Sequence, residues 1–187
     1  DPGVIGSGPT VPDPTTFADA LEVIQKYSIE LPLKVREHLD KGLDETPKQN
    51  DCAFVNSEQR MVARPQESLD AAAMLAKKMG LEVIMLSDQI EGEARDVARA
   101  HASLVRDGHG PRVYLSGGEL TVTVRGNGQG GPNAEYMLAM AIELKGDAQV
   151  HALAVDTDGI DGSEDNAGAL IKPNILHRAL ASGLEPE

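Results

Sequence analysis

Three short segments hold the residue types that handle phosphate and divalent metal. Residues 126–136 read GNGQGGPNAEY, which predicts a glycine-dense turn between a strand and a helix. Gly126, Gly128 and Gly131 satisfy the G-x-G-x-x-G spacing of dinucleotide loops. Glycine allows main-chain amides to come close to an anion, and Pro132 suits a first helical position. The amides of Asn133 and Ala134 are therefore expected to point outward at a ligand. Gly126, Gly128, Gly130 and Gly131 raise the entropy cost of ordering this link, which favours anion binding over a merely flexible connection.

The second segment, ALAVDTDGIDG, ends an apolar strand in Asp156, Asp158 and Asp161. Carboxylates at the carboxyl end of a strand beside a phosphate loop suit Mg²⁺, held directly or through water. The competing reading makes these acids caps for a helix near Gly168, with Gly159 and Gly162 turning the chain. For Asp161 the two readings weigh equally; for Asp156 and Asp158 the metal is favoured. A calcium loop is excluded, because Ala167 stands where its twelfth-position Glu belongs.

In the third segment, Ser116, Gly117 and Gly118 read as a turn between two short strands, with Glu119 at the mouth of the second. Glu119 projects to the same side as Arg125. It either forms an exposed pair with that arginine, worth little, or orients a metal, ribose or substrate hydroxyl. His101 falls on an apolar helix face and reads as a core histidine satisfied by one hydrogen bond. His38, His109, His151 and His177 have no metal-ligand spacing. No Walker loop, G-x-S-x-G elbow, H-E-x-x-H or C-x-x-C is present.

The elements that position these segments follow from periodicity. Thr16 and Asp19 predict a capping box, with Phe17, Leu21 and Ile24 at helical spacing behind it, and Pro32 starts a second helix through Val35 and Leu39. Four prolines and three glycines make the first 16 residues a loop or linker, and 42–51 reads as polar loop. Residues 52–55 predict a strand with Cys52 buried in it. A helix follows from Pro65 to Met79, stopped by Gly80; then come a strand over 82–86 and a helix striped by Ala94, Val97, Ala98, His101, Leu104 and Val105. Strands are expected at 112–115 and 119–125. Met137, Met140, Ala141 and Leu144 form one helix face, 150–155 a strand buried on both sides, and 175–181 a closing helix. Serial β-α units predict an α/β fold, a Rossmann-like parallel or mixed sheet with helices on both faces. The expected division is 1–50, helices and loop ending a preceding domain or a linker, and 51–187, the α/β domain.

At 187 residues and 41% hydrophobic content the chain can bury one main core, about 70% of its unfolded surface. A formal charge of -13 repels nucleic acid and anionic bilayers, so neither is expected as a partner. A single cysteine and the absence of an apolar run long enough to span a bilayer point to the cytoplasm. The missing initial Met and the end just past a helix predict a piece of a longer protein.

The blocks DPGVIGSGPTVPDPTTF, ETPKQND, SGGELTVTVRGNGQGGPNAEY and ALAVDTDGIDG resemble, in order along nearly the whole chain, the glycerate 2-kinases of the MOFRL type. Bacterial members of that family also bear the label hydroxypyruvate reductase, TtuD type. The resemblance implies a two-domain α/β enzyme with its site in the cleft between a larger Rossmann-like domain and a smaller MOFRL domain. It implies transfer of the ATP γ-phosphoryl to a small anionic hydroxy acid, glycerate, with Mg²⁺. It further implies that this chain is the C-terminal half without its extreme end, inactive without the N-terminal domain that carries a catalytic lysine. Homodimerisation is left open.

Residue by residue, the resemblance maps nucleotide binding to Ser116, Gly117, Gly118, Gly128, Gly130, Gly131, Asn133 and Glu135. It maps catalysis to Glu119, Asp156 and Asp158, the two aspartates also holding the metal. Pro132 stands where the family usually has Arg, and Ala134 where it has Gln; Arg125 is the nearby cation that partly substitutes at the phosphate. Two competitors remain at this point. One is an NAD(P)H-dependent hydroxypyruvate reductase that seats a pyrophosphate on the glycine loop, with Asp156 on the ribose. The other is a non-catalytic binding module.

Overall fold

The computed structural model describes residues 10–145 and 149–186. The first nine residues of the proline-rich opening lie outside them. The chain divides into two compact units, Asp1–Val62 and Ala63–Glu187.

In the first unit, α1 (Phe17–Lys26) begins at the expected capping box. The Asp19 amide donates to Thr16 Oγ1 at 3.3 Å, and the Thr16 amide donates to the Asp19 carboxylate at 2.7 Å. Pro32 sets the start of α2 (Leu33–Lys41), which stops at left-handed Gly42. Val11 is the one buried apolar side chain among the described residues of this unit.

The expected strand at 52–55 is a single 3-10 turn, Cys52–Phe54, and Cys52 is exposed. Asp51 accounts for the difference: its carboxylate accepts from the Ala53 amide at 2.8 Å, a local bond that competes with any ladder.

The second unit holds α3 (Pro65–Lys78), β1 (Glu82–Glu93), α4 (Ala94–Arg106), β2 (Arg112–Thr121), α5 (Pro132–Leu144), β3 (Ala152–Val155), β4 (Gly168–Ile171) and α6 (Ile175–Ala181). β1 and β2 pair in parallel, with α3 and α4 packed on them, as serial β-α units require. β3 and β4 form a separate antiparallel pair against α5.

Other strand expectations change: the strand expected over 82–86 runs on to Glu93, and the one expected over 119–125 stops at Thr121. Ser116, Gly117 and Gly118 make no turn; they lie within one continuous β2. The irregularity sits on β1, which runs from Ser87 to Ile90 while β2 runs only from Ser116 to Gly118. Gly118 meets this bulge at φ +152, where a β-carbon would lie 2.0 Å from the Ile90 carbonyl oxygen. Gly118 therefore serves strand approach. The strand expected over 150–155 is buried on one side only: Leu153 and Val155 are 63% and 50% exposed. Its partner β4, where a capped helix was one expectation, is a strand because the loop returns antiparallel onto β3.

The core joins α4 to α5. Ala94, Ala98 and Ala102, all fully buried, line one face of α4 at four-residue spacing, and small side chains let α5 come close. Met137, Met140, Ala141 and Leu144 fill the contact with Ile171, the face the periodicity predicted. Arg95 pairs with Glu135 near both helix starts, and Arg106 donates to the Glu143 carbonyl at 2.9 Å near both ends, so the two helices run in the same direction. Between them His101 Nδ1 and the Tyr136 hydroxyl lie 2.7 Å apart, the single hydrogen bond expected for a core histidine. No helix of the described residues is long and apolar enough to cross a membrane.

Gly118→Ala should lower stability by about 2 kcal/mol or more, read as a lower urea midpoint; an unchanged midpoint would show that β1 yields freely. Burial lowers the His101 pKa from 6.5 and raises that of Tyr136 from 10.0 to about 12. Below pH 6.5 the unfolded chain takes up the imidazole proton first, so stability falls with falling pH until the lowered folded pKa is reached. Above pH 10 the unfolded tyrosine loses its proton first, so stability falls up to about pH 12. Urea titrations across pH should show the acid slope reduced in His101→Gln and the alkaline slope reduced in Tyr136→Phe.

Candidate functional site

Gly131 stands at the N-cap of α5 and, lacking a side chain, gives the helix start no capping bond of its own. An α-helix start leaves amides unpaired and carries partial positive charge, so it draws an anion. The anion here is internal. Asp161, fully buried, accepts from the Asn133 amide at 2.9 Å, the Asn133 side-chain amide at 3.1 Å and the Ala134 amide at 2.8 Å.

The expectation that Asn133 and Ala134 aim their amides outward at a ligand is thereby corrected. Of the two readings for Asp161, capping is what the structure adopts, but the helix is α5 rather than one near Gly168. The close fit requires glycine on both sides. A β-carbon on Gly131 would lie 2.4 Å from the Asp161 backbone and carboxylate, and one on Gly162 would lie 2.9 Å from the Gly131 Cα.

The remainder of the glycine loop is open. Gly126, Gly128 and Gly130 are exposed, and a β-carbon on Gly126 or Gly128 would meet nothing within 4 Å. Main-chain groups along 126–130 are thus available to an anion, while the helix start proper is filled.

Asp156 and Asp158 stand in one tight turn directly after β3. Asp156 Oδ1 accepts from the Asp158 amide at 3.3 Å, and Asp158 Oδ1 accepts from the Ile160 amide at 2.8 Å. The turn belongs to a closed loop. The Asp156 amide donates to the Ala167 carbonyl at 2.6 Å, and the Asp161 amide donates to the Asn166 carbonyl at 2.7 Å. Asp158 is exposed and Asp156 half-buried.

Among the described residues no three His, Cys, Asp or Glu side chains gather as a metal cage. Two carboxylates, each spending one oxygen on a backbone amide, fit Mg²⁺ in the manner of phosphate-dependent sites. There one or two carboxylates act with water and substrate phosphates rather than as a full cage.

The other expected residues fall elsewhere. Ser116 pairs in register with Ser87, Gly118 with Ile90 and Glu119 with Glu91, all along the β1–β2 ladder, and Gly117 packs near Leu69. Glu119 is exposed near the carboxyl end of β2, the end of a parallel strand at which α/β folds take up ligands. Among the described residues no ion pair joins Glu119 to Arg125, and neither is bonded to the aspartate turn. Arg125 is exposed and acts on Glu93, whose carboxyl is held below its usual range by the Thr123 amide and hydroxyl, with Arg95 and Arg125 adding charge. Glu135 points at Arg95 on α4. Asp161 and Arg95 are the residues whose structural parts the sequence concealed: the aspartate is one of three similar acids, and the arginine is one of several on α4.

Comparison with known proteins adds what the geometry leaves open. Residues 112–187 match the MOFRL family, and residues 1–40 match DUF4147, a domain of unknown function. The crystal structure of a glycerate kinase from Thermotoga maritima superposes with a TM-score of 0.75 at 35% identity, covering all of this chain and 45% of that one. A glycerate 2-kinase of Pyrococcus horikoshii is 34% identical over 98% of this chain and 44% of its own length. A protein of Agrobacterium vitis provisionally named hydroxypyruvate reductase is 45% identical over the whole of this chain and 44% of its own length. The chain thus spans about half the length of the curated relatives it matches.

Asp161→Ala strips the cap from α5 and leaves the Asn133 and Ala134 amides without their acceptor, so stability should fall by about 2–4 kcal/mol. Asp165→Ala, at an exposed acid of the same loop, should change it by no more than about 0.5 kcal/mol. Equal urea midpoints for the two variants would remove the capping role.

Proposed function

From a chain whose residues 112–187 belong to the MOFRL family and whose residues 1–40 match DUF4147, we propose that the intact protein is a glycerate kinase. It transfers the γ-phosphoryl of ATP to a hydroxyl of glycerate. The observation that carries the reading is the junction of two loops at the start of α5: the open glycine run 126–130 continues into Gly131, against which Asp161 holds the loop that also bears Asp156 and Asp158. The likeness to the Thermotoga glycerate kinase supports it over the whole chain.

The hydroxyl oxygen of glycerate forms a bond to the γ-phosphorus as the bond to the bridging oxygen breaks; ADP leaves, and the hydroxyl proton passes to solvent or a nearby base. Phosphoryl transfer depends mainly on positioning and charge stabilisation. Gly126, Gly128 and Gly130 allow the phosphate tail close to the backbone, with Ser116, Gly117 and Gly118 on the adjoining strand. Asp156 and Asp158 hold Mg²⁺, which when bound neutralises charge on the phosphates. Glu119 orients the accepting hydroxyl. Pro132 stands at the first helical position of α5 where the family resemblance puts an arginine, so in this chain Arg125 supplies positive charge beside the loop. Asn133 and Glu135 act from beneath the loop, through Asp161 and Arg95. In the intact protein the larger N-terminal domain that the family resemblance implies completes the site, and the cytoplasm is its place of action.

The reductase reading draws on the Agrobacterium relative's name. A dinucleotide fingerprint seats its pyrophosphate on the helix start, and here the Asp161 carboxylate fills that seat. His101 is engaged with Tyr136 and so is not free to serve as a general acid. The kinase is therefore the better reading.

Intact protein supplied with D-glycerate, ATP and Mg²⁺ should release ADP, and Asp158→Asn should lower kcat/KM by about 100-fold. Consumption of NADH with hydroxypyruvate in place of ADP release would establish the reductase; neither activity would leave a binding module.

A further inference from the structure

Asp161 does more than cap a helix. Its carboxylate is fully buried and takes three hydrogen bonds from the first turn of α5, two from main-chain amides and one from the Asn133 side chain. Its own amide is bonded to Asn166 across the loop that begins at Asp156. The backbones touch as well, with Gly162 against Gly130 and Gly131. The loop is thus fastened at its base by Asp156 to Ala167 and at its far side by Asp161 to α5. Asp156 stands at the first of these fastenings and Asp158 between the two.

We infer that Asp161 is a positioning residue that fixes the Asp156–Asp158 turn relative to the glycine loop, and so sets where the two carboxylates meet a nucleotide's metal-bound phosphates. This rests on the kinase reading for the identity of the ligand, but not for the fastening itself. The physical ground is that, among the described residues, no other anchor of this kind holds the stretch. Asp158 is exposed, and the hydrogen bonds of Asp156 and Asp158 side chains stay within the turn. They shape the turn locally and do not tie it to α5. Among the described residues only the 161–162 step joins the acidic loop to the helix start through close backbone contact and a buried charge. A carboxylate also suits the helix start electrostatically in a way an amide does not, since all three of its partners are N–H donors.

The test uses the intact protein and the variant Asp161→Asn, which keeps the shape and one acceptor oxygen but turns an NH₂ group toward a donor. Asp161→Ala serves as the stronger lesion and Asp158→Asn as a check on the ligand assignment. Amide hydrogen exchange over 156–160 is measured at a temperature where circular dichroism shows the variant folded, together with calorimetric Kd values for ATP with Mg²⁺ and for D-glycerate. Exchange in 156–160 is expected to accelerate at least tenfold and the nucleotide Kd to rise at least tenfold, with the D-glycerate Kd unchanged. A folded Asp161→Asn protein whose 156–160 exchange is unaltered overturns the inference, as does a nucleotide Kd that stays at the parent value while Asp158→Asn raises it. If Asp158→Asn leaves nucleotide affinity unaltered, the kinase reading fails, and the exchange measurement alone still decides whether Asp161 positions the turn.

Discussion

The second unit is organised around a buried carboxylate on a helix start. The Asp161 side chain lies fully out of solvent, where an isolated ion would be strongly disfavoured, and it is stabilised by the donors of the first turn of α5 and by that helix's dipole. That one interaction explains features that otherwise look unrelated. Gly131 and Gly162 are glycines because the two backbones close on each other around the carboxylate. Pro132 is tolerated because its position has no need of an N–H, and the amides that follow it are met by Asp161. The acidic turn lies where it does because the loop is tied at both sides.

α5 can serve as that anchor because it is itself held along its length. Alanines on α4 allow close approach, methionines and Leu144 on α5 fill the gap, and Ile171 brings β4 into the same core. At the rim, Arg95 with Glu135 and Arg106 with the Glu143 carbonyl keep the helices in register. These pairs are partly solvated, so they contribute more to register than to stability. The glycine loop and the acidic loop therefore meet at a rigid element, while Gly126, Gly128 and Asp158 remain exposed. This combination of fixed backbone and open surface suits the phosphate and metal proposed for the two loops.

Much of the frame was legible in the sequence. The Thr16–Asp19 capping box, the start of α3 at Pro65, the helix face of Met137, Met140, Ala141 and Leu144, and the span of α6 all follow from signals reaching no more than a few residues. The misreadings have a common source in long-range pairing. Ser116, Gly117 and Gly118 carry turn chemistry, yet β2 runs straight through them because β1 bulges opposite. Cys52 to Val55 has strand composition but no strand to join, and Asp51 bends it into a turn. Residues 168–171 have too few side chains to announce a strand; their pairing with β3 makes them one.

The sequence alone determined where the glycines, the acids and the helices lie, and hence that a phosphate-handling site was worth seeking after β2 and β3. Only the tertiary structure decided which anion occupies the start of α5. Asp156, Asp158 and Asp161 are alike in type and crowded within six residues, and nothing local separates a cap from a metal ligand. The choice turns on a contact between residues 28 apart in the chain, Asn133 and Asp161, made when the return of β4 along β3 closes the loop. Periodicity and capping signals act over one helical turn, whereas charge burial depends on which distant backbone arrives to satisfy it.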